Sequence, residues 1–95
     1  MIVFHVAEPG AYDPSAPVYT HESLQTEGFI HCSTEEQLPR TLERFFPGRT
    51  DVTILSIDTD RLDAELRWEG ADGDLFPHVY GAIGREAIVA KRRLA

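Results

Sequence analysis

The sequence contains one cysteine among its 95 residues, and this scarcity excludes several kinds of protein. Cys32 has no second thiol for an internal disulfide, and the chain has no paired Cys/His spacing of the kind that holds structural zinc. Long apolar runs are also missing, and no segment approaches the roughly 20 residues of a membrane-spanning helix. The apolar start, residues 1–5, lacks the basic region, length and cleavage site of a signal peptide. We therefore expect a cytoplasmic protein with no membrane partner.

Basic residues are scarce as well. Nine Lys and Arg stand against 16 Asp and Glu, which gives a net charge of −7. Nucleic-acid binding needs clustered Lys and Arg to neutralise phosphates, so this balance disfavours a nucleic-acid partner. The one basic cluster, Lys91-Arg92-Arg93, is typical of a solvated tail. The acidity is compatible with a neutral or cationic ligand, whereas a dinucleotide would need backbone donors or local dipoles.

The apolar pattern predicts more strands than helices in one domain, residues 1–95. β-branched or alternating segments predict strands at residues 2–7, 29–33, 52–57, 65–69, 77–81 and 87–90. One or two helical turns are predicted within residues 18–26. Ser33 and Glu36 form a capping-box pattern before a second helix, and residues 70–74 are predicted to form an acidic loop. This order predicts an α+β fold with a mixed or antiparallel sheet and one or two short helices in the N-terminal half.

Three of the four histidines lie in compact strings that resemble strands. His5 lies in residues 3–7, His31 in residues 28–33 and His78 in residues 76–81. Imidazoles on separate strands can converge in a folded domain, and we expect these three to line one groove. The fourth, His21, follows a threonine in a polar stretch and is predicted to lie on the surface.

Side chains two residues apart in a strand share a face, and this predicts neighbours for two of these histidines. With a period of two, Phe29 and Ser33 share the face of His31, and Cys32 takes the opposite face. Tyr80 shares the face of the histidine two residues before it, and it offers a ring for stacking and a hydroxyl. A buried, inert thiol is the simplest interpretation of Cys32.

Other interpretations of the same residues stay open. Each histidine is also compatible with a hydrogen-bonded place in the core, and three imidazoles plus water are a ligand set that Zn²⁺ accepts. No supporting carboxylate is evident on the same strands, so we expect no metal. Glu27 and Glu69 adjoin the strings and are candidate acid partners of an imidazole. The chain has no phosphate-binding Gly-rich loop, no Rossmann fingerprint and no nucleophile elbow.

The strings together resemble a family of small bacterial and plant proteins known as domain of unknown function 952. The resemblance spans nearly the whole chain and rests on Phe4-His5, the string Glu27-Gly28-Phe29-Ile30-His31-Cys32-Ser33, the strand Leu55-Ser56-Ile57-Asp58, a glutamate near Glu69, and Phe76-Pro77-His78-Val79-Tyr80-Gly81. The family implies no biochemical activity.

That family is in turn similar in layout to the ADP-ribosyltransferase superfamily, notably its RNA 2′-phosphotransferase branch. The resemblance implies a split sheet in which His5 and His31 line a pocket for NAD. It implies that Tyr80 stacks on nicotinamide and that Glu69 or His78 stabilises positive charge on the ribose. On this basis we assign catalytic roles to His31, His78 and Glu69, and ligand-binding roles to His5, Ser33 and Tyr80.

Three functions follow as hypotheses. The first is a domain that binds NAD or a related nucleotide and transfers or hydrolyses ADP-ribose. The second is a non-catalytic module that binds a small metabolite or peptide on the same fold. The third is a metal-dependent hydrolase that uses His5, His31 and His78. The first and third require the histidines to meet in one solvent-reachable cavity, whereas histidines dispersed through the core would favour the second.

Overall fold

The computed structural model describes residues 1–71 and 73–94. Within them lie eight strands: β1 (Ile2–Ala7), β2 (Val18–Tyr19), β3 (Ile30–His31), β4 (Thr53–Asp58), β5 (Glu65–Ala71), β6 (Asp74–Tyr80), β7 (Ile83–Gly84) and β8 (Ile88–Arg93). The same residues form two α-helices, α1 (Ser23–Thr26) and α2 (Leu38–Phe45), and two 3₁₀ turns, Thr59–Arg61 and Arg85–Ala87.

The strands of the described residues form two three-stranded sheets and one small ribbon. The first sheet has the order β1-β4-β8, the second β3-β6-β5, and the ribbon pairs β2 with β7. Every pairing is antiparallel. The predicted α+β class, the antiparallel pairing and the two helices in the first half are therefore confirmed.

A single β-bridge joins the two sheets between Phe4 and Ser33. The Phe4 N–H donates to the Ser33 carbonyl at 2.7 Å, and the Ser33 N–H donates back to the Phe4 carbonyl at 2.7 Å. This bridge brings the middle of β1 beside the end of β3. It therefore places the first two histidine strings next to each other, although 26 positions separate His5 from His31 along the chain.

Side chains on the two faces of β1 pack into two different core clusters. Val3 and Ala7 belong to the larger cluster, which includes Leu55, Ile57 and Val79. The other face of β1 contributes to a second cluster with Val52, Ile54 and Leu38, where Phe4 and Val6 pack. Val3 and Ala7 thus share one face of β1, and Phe4 and Val6 share the other.

The cap before helix α2 lies one residue later than predicted. The Thr34 N–H donates to the Gln37 Oε1 at 3.0 Å, and the Gln37 N–H donates to the Thr34 Oγ1 at 3.2 Å. This is the reciprocal pattern of a capping box, made by Thr34 and Gln37 instead of Ser33 and Glu36. Ser33 is held in the bridge to β1, so its side chain is directed to Thr41, where the two hydroxyl oxygens lie 2.8 Å apart.

Two predictions about the second half of the chain are wrong. Gly70 and Asp74 belong to strands that pair up to the tip of the β5–β6 hairpin, so a loop does not extend over residues 70–74; Asp72 itself lies outside the described residues. Residues 91–93 form part of β8 and pair with β4, so they are not a tail. Exposed cations on an edge strand are a common protection against pairing with another chain.

Gly81, the last residue of the third histidine string, is a point of close approach between two segments of the backbone. A Cβ at this position would lie 2.9 Å from the Cβ of Ala64, which is closer than side chains tolerate. The glycine therefore lets the end of β6 pass the start of β5 without steric conflict.

Candidate functional site

A cavity of about 480 Å³ lies where the two sheets meet helix α2. Its lining contains all four histidines and all five phenylalanines of the chain: His5, His21, His31, His78, Phe4, Phe29, Phe45, Phe46 and Phe76. Val6, Cys32, Ser33, Thr41 and Gly70 complete the wall. The volume lies within the usual range for small-molecule sites, which are mostly apolar with a few polar groups.

His31 and His78 form a cross-strand pair in this wall. They are directly opposite each other in the β3–β6 register, and their ring centroids lie 5.2 Å apart in an edge-to-face arrangement. Opposite residues of an antiparallel pair project from the same face of the sheet. Phe29 stacks on the His78 ring with centroids 4.0 Å apart and planes inclined by 15°. The predicted common face of Phe29, His31 and Ser33 is therefore confirmed.

Glu69 lies behind His78 and fixes its ring. The Glu69 Oε1 lies 2.7 Å from the His78 Nδ1 and also accepts a 2.6 Å hydrogen bond from the Tyr80 hydroxyl. These two bonds, the Tyr80 one foremost, hold the pKa of Glu69 below its usual value, and the carboxylate raises the pKa of Tyr80. Because an ionised carboxylate only accepts, the neutral imidazole carries its proton on Nδ1 and presents a basic Nε2.

Glu69 and Tyr80 do not line the cavity themselves. Tyr80 lies against the guanidinium of Arg67, whose Cζ is 4.2 Å from the ring centroid. The sequence predicted Glu69 as catalytic and Tyr80 as ligand-binding, and the structure places both beside His78 and outside the residues that line the cavity.

His31 has its own carboxylate at the outer part of the cavity. Its Nε2 lies 2.8 Å from the Glu27 Oε2, and the two side chains are 53% and 48% exposed. Since the neutral ring would donate from Nε2, its Nδ1 is the basic atom. The cavity thus has two imidazoles, each with a glutamate on one nitrogen.

His5 is in the opposite situation. It is buried, its Nδ1 lies 2.7 Å from the His31 carbonyl oxygen, and its Nε2 lies 2.8 Å from the Tyr19 hydroxyl. The carbonyl must accept from Nδ1–H, so Nε2 accepts from Tyr19. Burial is the main reason that the pKa of His5 falls from 6.5 to about 4. At neutral pH this ring is uncharged, and both nitrogens are already bonded.

His21 was predicted to lie on the surface, and this is wrong. The ring is half-buried, lines the cavity and lies edge-on to His5 with centroids 5.4 Å apart. Its Nδ1 accepts from the Ser23 N–H at 3.0 Å and interacts with the Ser23 Oγ at 2.9 Å. A histidine two residues before a serine at a helix start was the available signal, since such side chains bond the backbone near helix ends.

The two candidate nucleophiles, Ser33 and Cys32, are not activated. The Ser33 hydroxyl is buried and bonded to Thr41, without an imidazole partner among the described residues. Cys32 lies in the larger core cluster, and burial raises the pKa of its thiol to about 12. A thiol with such a pKa is not a nucleophile at neutral pH.

The three-histidine metal site receives no support from this geometry. His5 has no nitrogen left for an ion, and residues 1–71 and 73–94 contain no group of three His, Cys, Asp or Glu side chains placed to hold a metal. The cavity lining drawn from those residues also contains no Asp, Glu, Lys or Arg. Glu27 and Glu69 contact the lining rings of His31 and His78, but neither carboxylate lines the cavity itself.

Comparisons with known proteins agree with the fold. The crystal structure of protein CC0527 from Caulobacter crescentus has a TM-score of 0.86 at 22% sequence identity, over 98% of this chain and 85% of that chain. A double mutant of the same protein has a TM-score of 0.85 at 21% identity. Such low identity shows the fold alone. Curated proteins give no significant match, and no helix in the described part of the chain is long and apolar enough to cross a membrane.

The family assignment rests on the sequence itself. The model of the family described as Protein of unknown function (DUF952) matches residues 7–91, a span that contains the second and third histidine strings. This chain belongs to that family.

Proposed function

We propose that the protein binds a small organic molecule in the cavity and moves a proton on it, with His78 as the principal acid–base residue and His31 as its partner. The observation that carries this proposal is the Glu69–His78 pair. Its 2.7 Å bond fixes Nδ1, while the ring lies in an apolar wall opposite His31. A carboxylate behind an imidazole orients the ring and stabilises the imidazolium that forms during catalysis.

This proton transfer needs no group beyond the two histidines and the ligand. The Nε2 of His78 removes a proton from a carbon, nitrogen or oxygen of the ligand, and the resulting imidazolium returns it to the same atom or to a neighbouring one. His31 supplies or accepts the second proton when two sites change. Proton transfer is favoured over acyl transfer because neither Ser33 nor Cys32 is an activated nucleophile.

The first experiment finds ligands by thermal shift with a library of small organic molecules. A compound at 100 times its Kd adds about 2.7 kcal/mol of unfolding free energy, which raises the melting temperature of a domain of this size by several degrees. Each hit is then incubated in D₂O, and loss of its exchangeable C–H signal is followed by NMR. A proton-transferring enzyme catalyses this exchange even when no net product forms.

The expected result is that His78→Gln slows exchange about 100-fold or more, the usual contribution of a general acid–base residue. Glu69→Gln should fall between that variant and the wild type. Tyr80→Phe is the matched control, because it removes one bond to Glu69 and keeps the carboxylate–imidazole pair. An unchanged rate in His78→Gln, or a library without a single hit, would refute the proposal.

NAD binding on an ADP-ribosyltransferase-like fold is a second candidate. What favours it is the contact between His5 and the His31 carbonyl at 2.7 Å, which joins the two histidines that the resemblance assigns to the NAD pocket. What opposes it is a lining without Lys or Arg among the described residues, where a diphosphate would be left unpaired. Titration with NAD and with nicotinamide separates the two proposals: NAD binding far tighter than nicotinamide supports this one.

A further inference from the structure

His21 lines the cavity, and its bonds to Ser23 leave one ring nitrogen available as a hydrogen-bond donor. Both bonds from Ser23 converge on Nδ1, so the neutral ring carries its proton on Nε2. Ser23 is itself buried, which holds the arrangement in place. Nε2 lies on the other side of the ring, and the described residues provide it with no hydrogen-bond partner.

The neighbouring polar atoms in this part of the cavity are already used. His5 has both nitrogens bonded, and the Ser33 and Thr41 hydroxyl oxygens lie 2.8 Å from each other. The Nε2–H of His21 is therefore the donor that this region offers to a ligand. It calls for an acceptor such as a carbonyl oxygen or a ring nitrogen.

The rest of the lining defines the body of the ligand. Five phenylalanine rings contribute to the wall, and Phe29 and His78 already form a parallel stack. Planar rings fill such a space well, because aromatic faces and edges attract one another. The described lining contains no formal charge, and the chain as a whole carries −7. Burial of an unpaired carboxylate or phosphate there would cost several kcal/mol.

We infer that the ligand is an uncharged planar aromatic molecule with a carbonyl-type acceptor, and that His21 recognises this acceptor. The inference rests on the proposed function to the extent that the cavity must bind a small molecule. It adds the substrate class and a specificity-determining residue that lies apart from the His31–His78 pair.

Three matched probes test the inference: benzamide, toluene and benzoate. Their Kd values are measured at pH 8 by NMR titration of the histidine and phenylalanine ring signals. The wild type should bind benzamide about five- to tenfold more tightly than toluene, as expected for one hydrogen bond. Benzoate should bind at least tenfold more weakly than benzamide, because its charge is not neutralised.

Variants assign the preference to one residue. His21→Phe should remove the preference for benzamide over toluene, and His21→Gln should restore part of it because the amide again offers an N–H donor. Ser23→Ala should reduce the preference and shift the ¹⁵N resonances of His21 away from the Nε2–H tautomer. Thr26→Val is the matched control, since it removes a hydroxyl of helix α1 that lies outside the cavity lining and should keep the preference.

The outcomes show whether this inference, the proposed function or both fail. Benzoate binding as tightly as benzamide, or a preference that survives in His21→Phe, overturns the inference and leaves proton transfer by His78 standing. Failure of all three probes to bind, in parallel with a library without hits, overturns both. Probe binding with no histidine-dependent proton exchange overturns the proposed catalysis and keeps the binding specificity.

Discussion

The four histidines of the cavity form two pairs with different hydrogen-bond partners, and we refer to each pair as one end of the cavity. At one end, His5 and His21 are bonded to a backbone carbonyl, a backbone N–H and hydroxyl groups. At the other end, His31 and His78 each contact a glutamate. Neutral partners fix a neutral imidazole, whereas a carboxylate stabilises an imidazolium. Under the two proposals above, the first end holds and recognises a ligand, and the second end transfers protons.

Burial strengthens this contrast. His5 is almost fully buried, so a charge on its ring would be poorly solvated, and its pKa falls to about 4. His31 is about half exposed and has Glu27 beside it. Each prediction below breaks or sharpens this difference between the ends.

The largest expected effect is the pH dependence of stability that His5 causes. The folded pKa of about 4 lies below the ordinary 6.5, so between these values the unfolded chain binds a proton that the native ring does not. Stability is therefore fully present above pH 6.5 and decreases as the pH falls toward 4. The loss amounts to about 3 kcal/mol over this range.

Urea unfolding of the wild type and of His5→Gln at several pH values measures this loss. The glutamine does not titrate, so the stability difference between the two proteins should shrink by about 3 kcal/mol from pH 7.5 to pH 4. All other titrating groups contribute equally to both proteins. A constant difference across this range would show that His5 is not held neutral by burial.

A smaller effect is expected from one substitution made at both ends. Tyr19→Phe removes the hydroxyl that donates to the His5 Nε2 and leaves a buried acceptor unpaired, which should cost about 1–3 kcal/mol. Tyr80→Phe removes the bond to Glu69, where the carboxylate still meets His78 and water. Chemical denaturation should show a much lower midpoint for the first variant and little change for the second. Equal losses of stability in the two variants would show that the two ends of the cavity do not differ in burial.

A spectroscopic effect is expected at Tyr80, whose hydroxyl donates to the Glu69 carboxylate. Glu69 raises the pKa of Tyr80 above its ordinary 10, chiefly because the carboxylate accepts a hydrogen bond that the phenol loses when it ionises. Glu69→Gln should lower the pKa of Tyr80, as measured by phenolate absorbance with Tyr80→Phe for assignment. Tyr19, whose pKa burial raises to about 12, should not respond. A change in the pKa of Tyr19 instead would show that Glu69 acts at the end of the cavity that holds His5.

Short-range patterns predicted most strands and the common face of Phe29, His31 and Ser33, because alternation reports directly on which side chains meet the core. They missed His21, since its position depends on a side-chain bond to Ser23 and on how the preceding loop folds back beside β1. They also misplaced the cap before α2. Thr34 and Gln37 satisfy the same pattern as Ser33 and Glu36, and only the bridge to Phe4, a long-range contact, decides between them.

The smallest expected effect concerns Cys32, which contributes to the cavity wall and whose thiol should nevertheless be chemically silent. Its thiol lies in the larger core cluster, 3% exposed, and burial raises its pKa to about 12. Because thiolate is the reactive species, the native protein at pH 8 should react with a disulfide reagent only as fast as it unfolds. The measurement is absorbance of released thiolate with and without urea. Rapid reaction of the native thiol would place Cys32 on the side of His31, and the cavity would then have a nucleophile beside its acid–base pair.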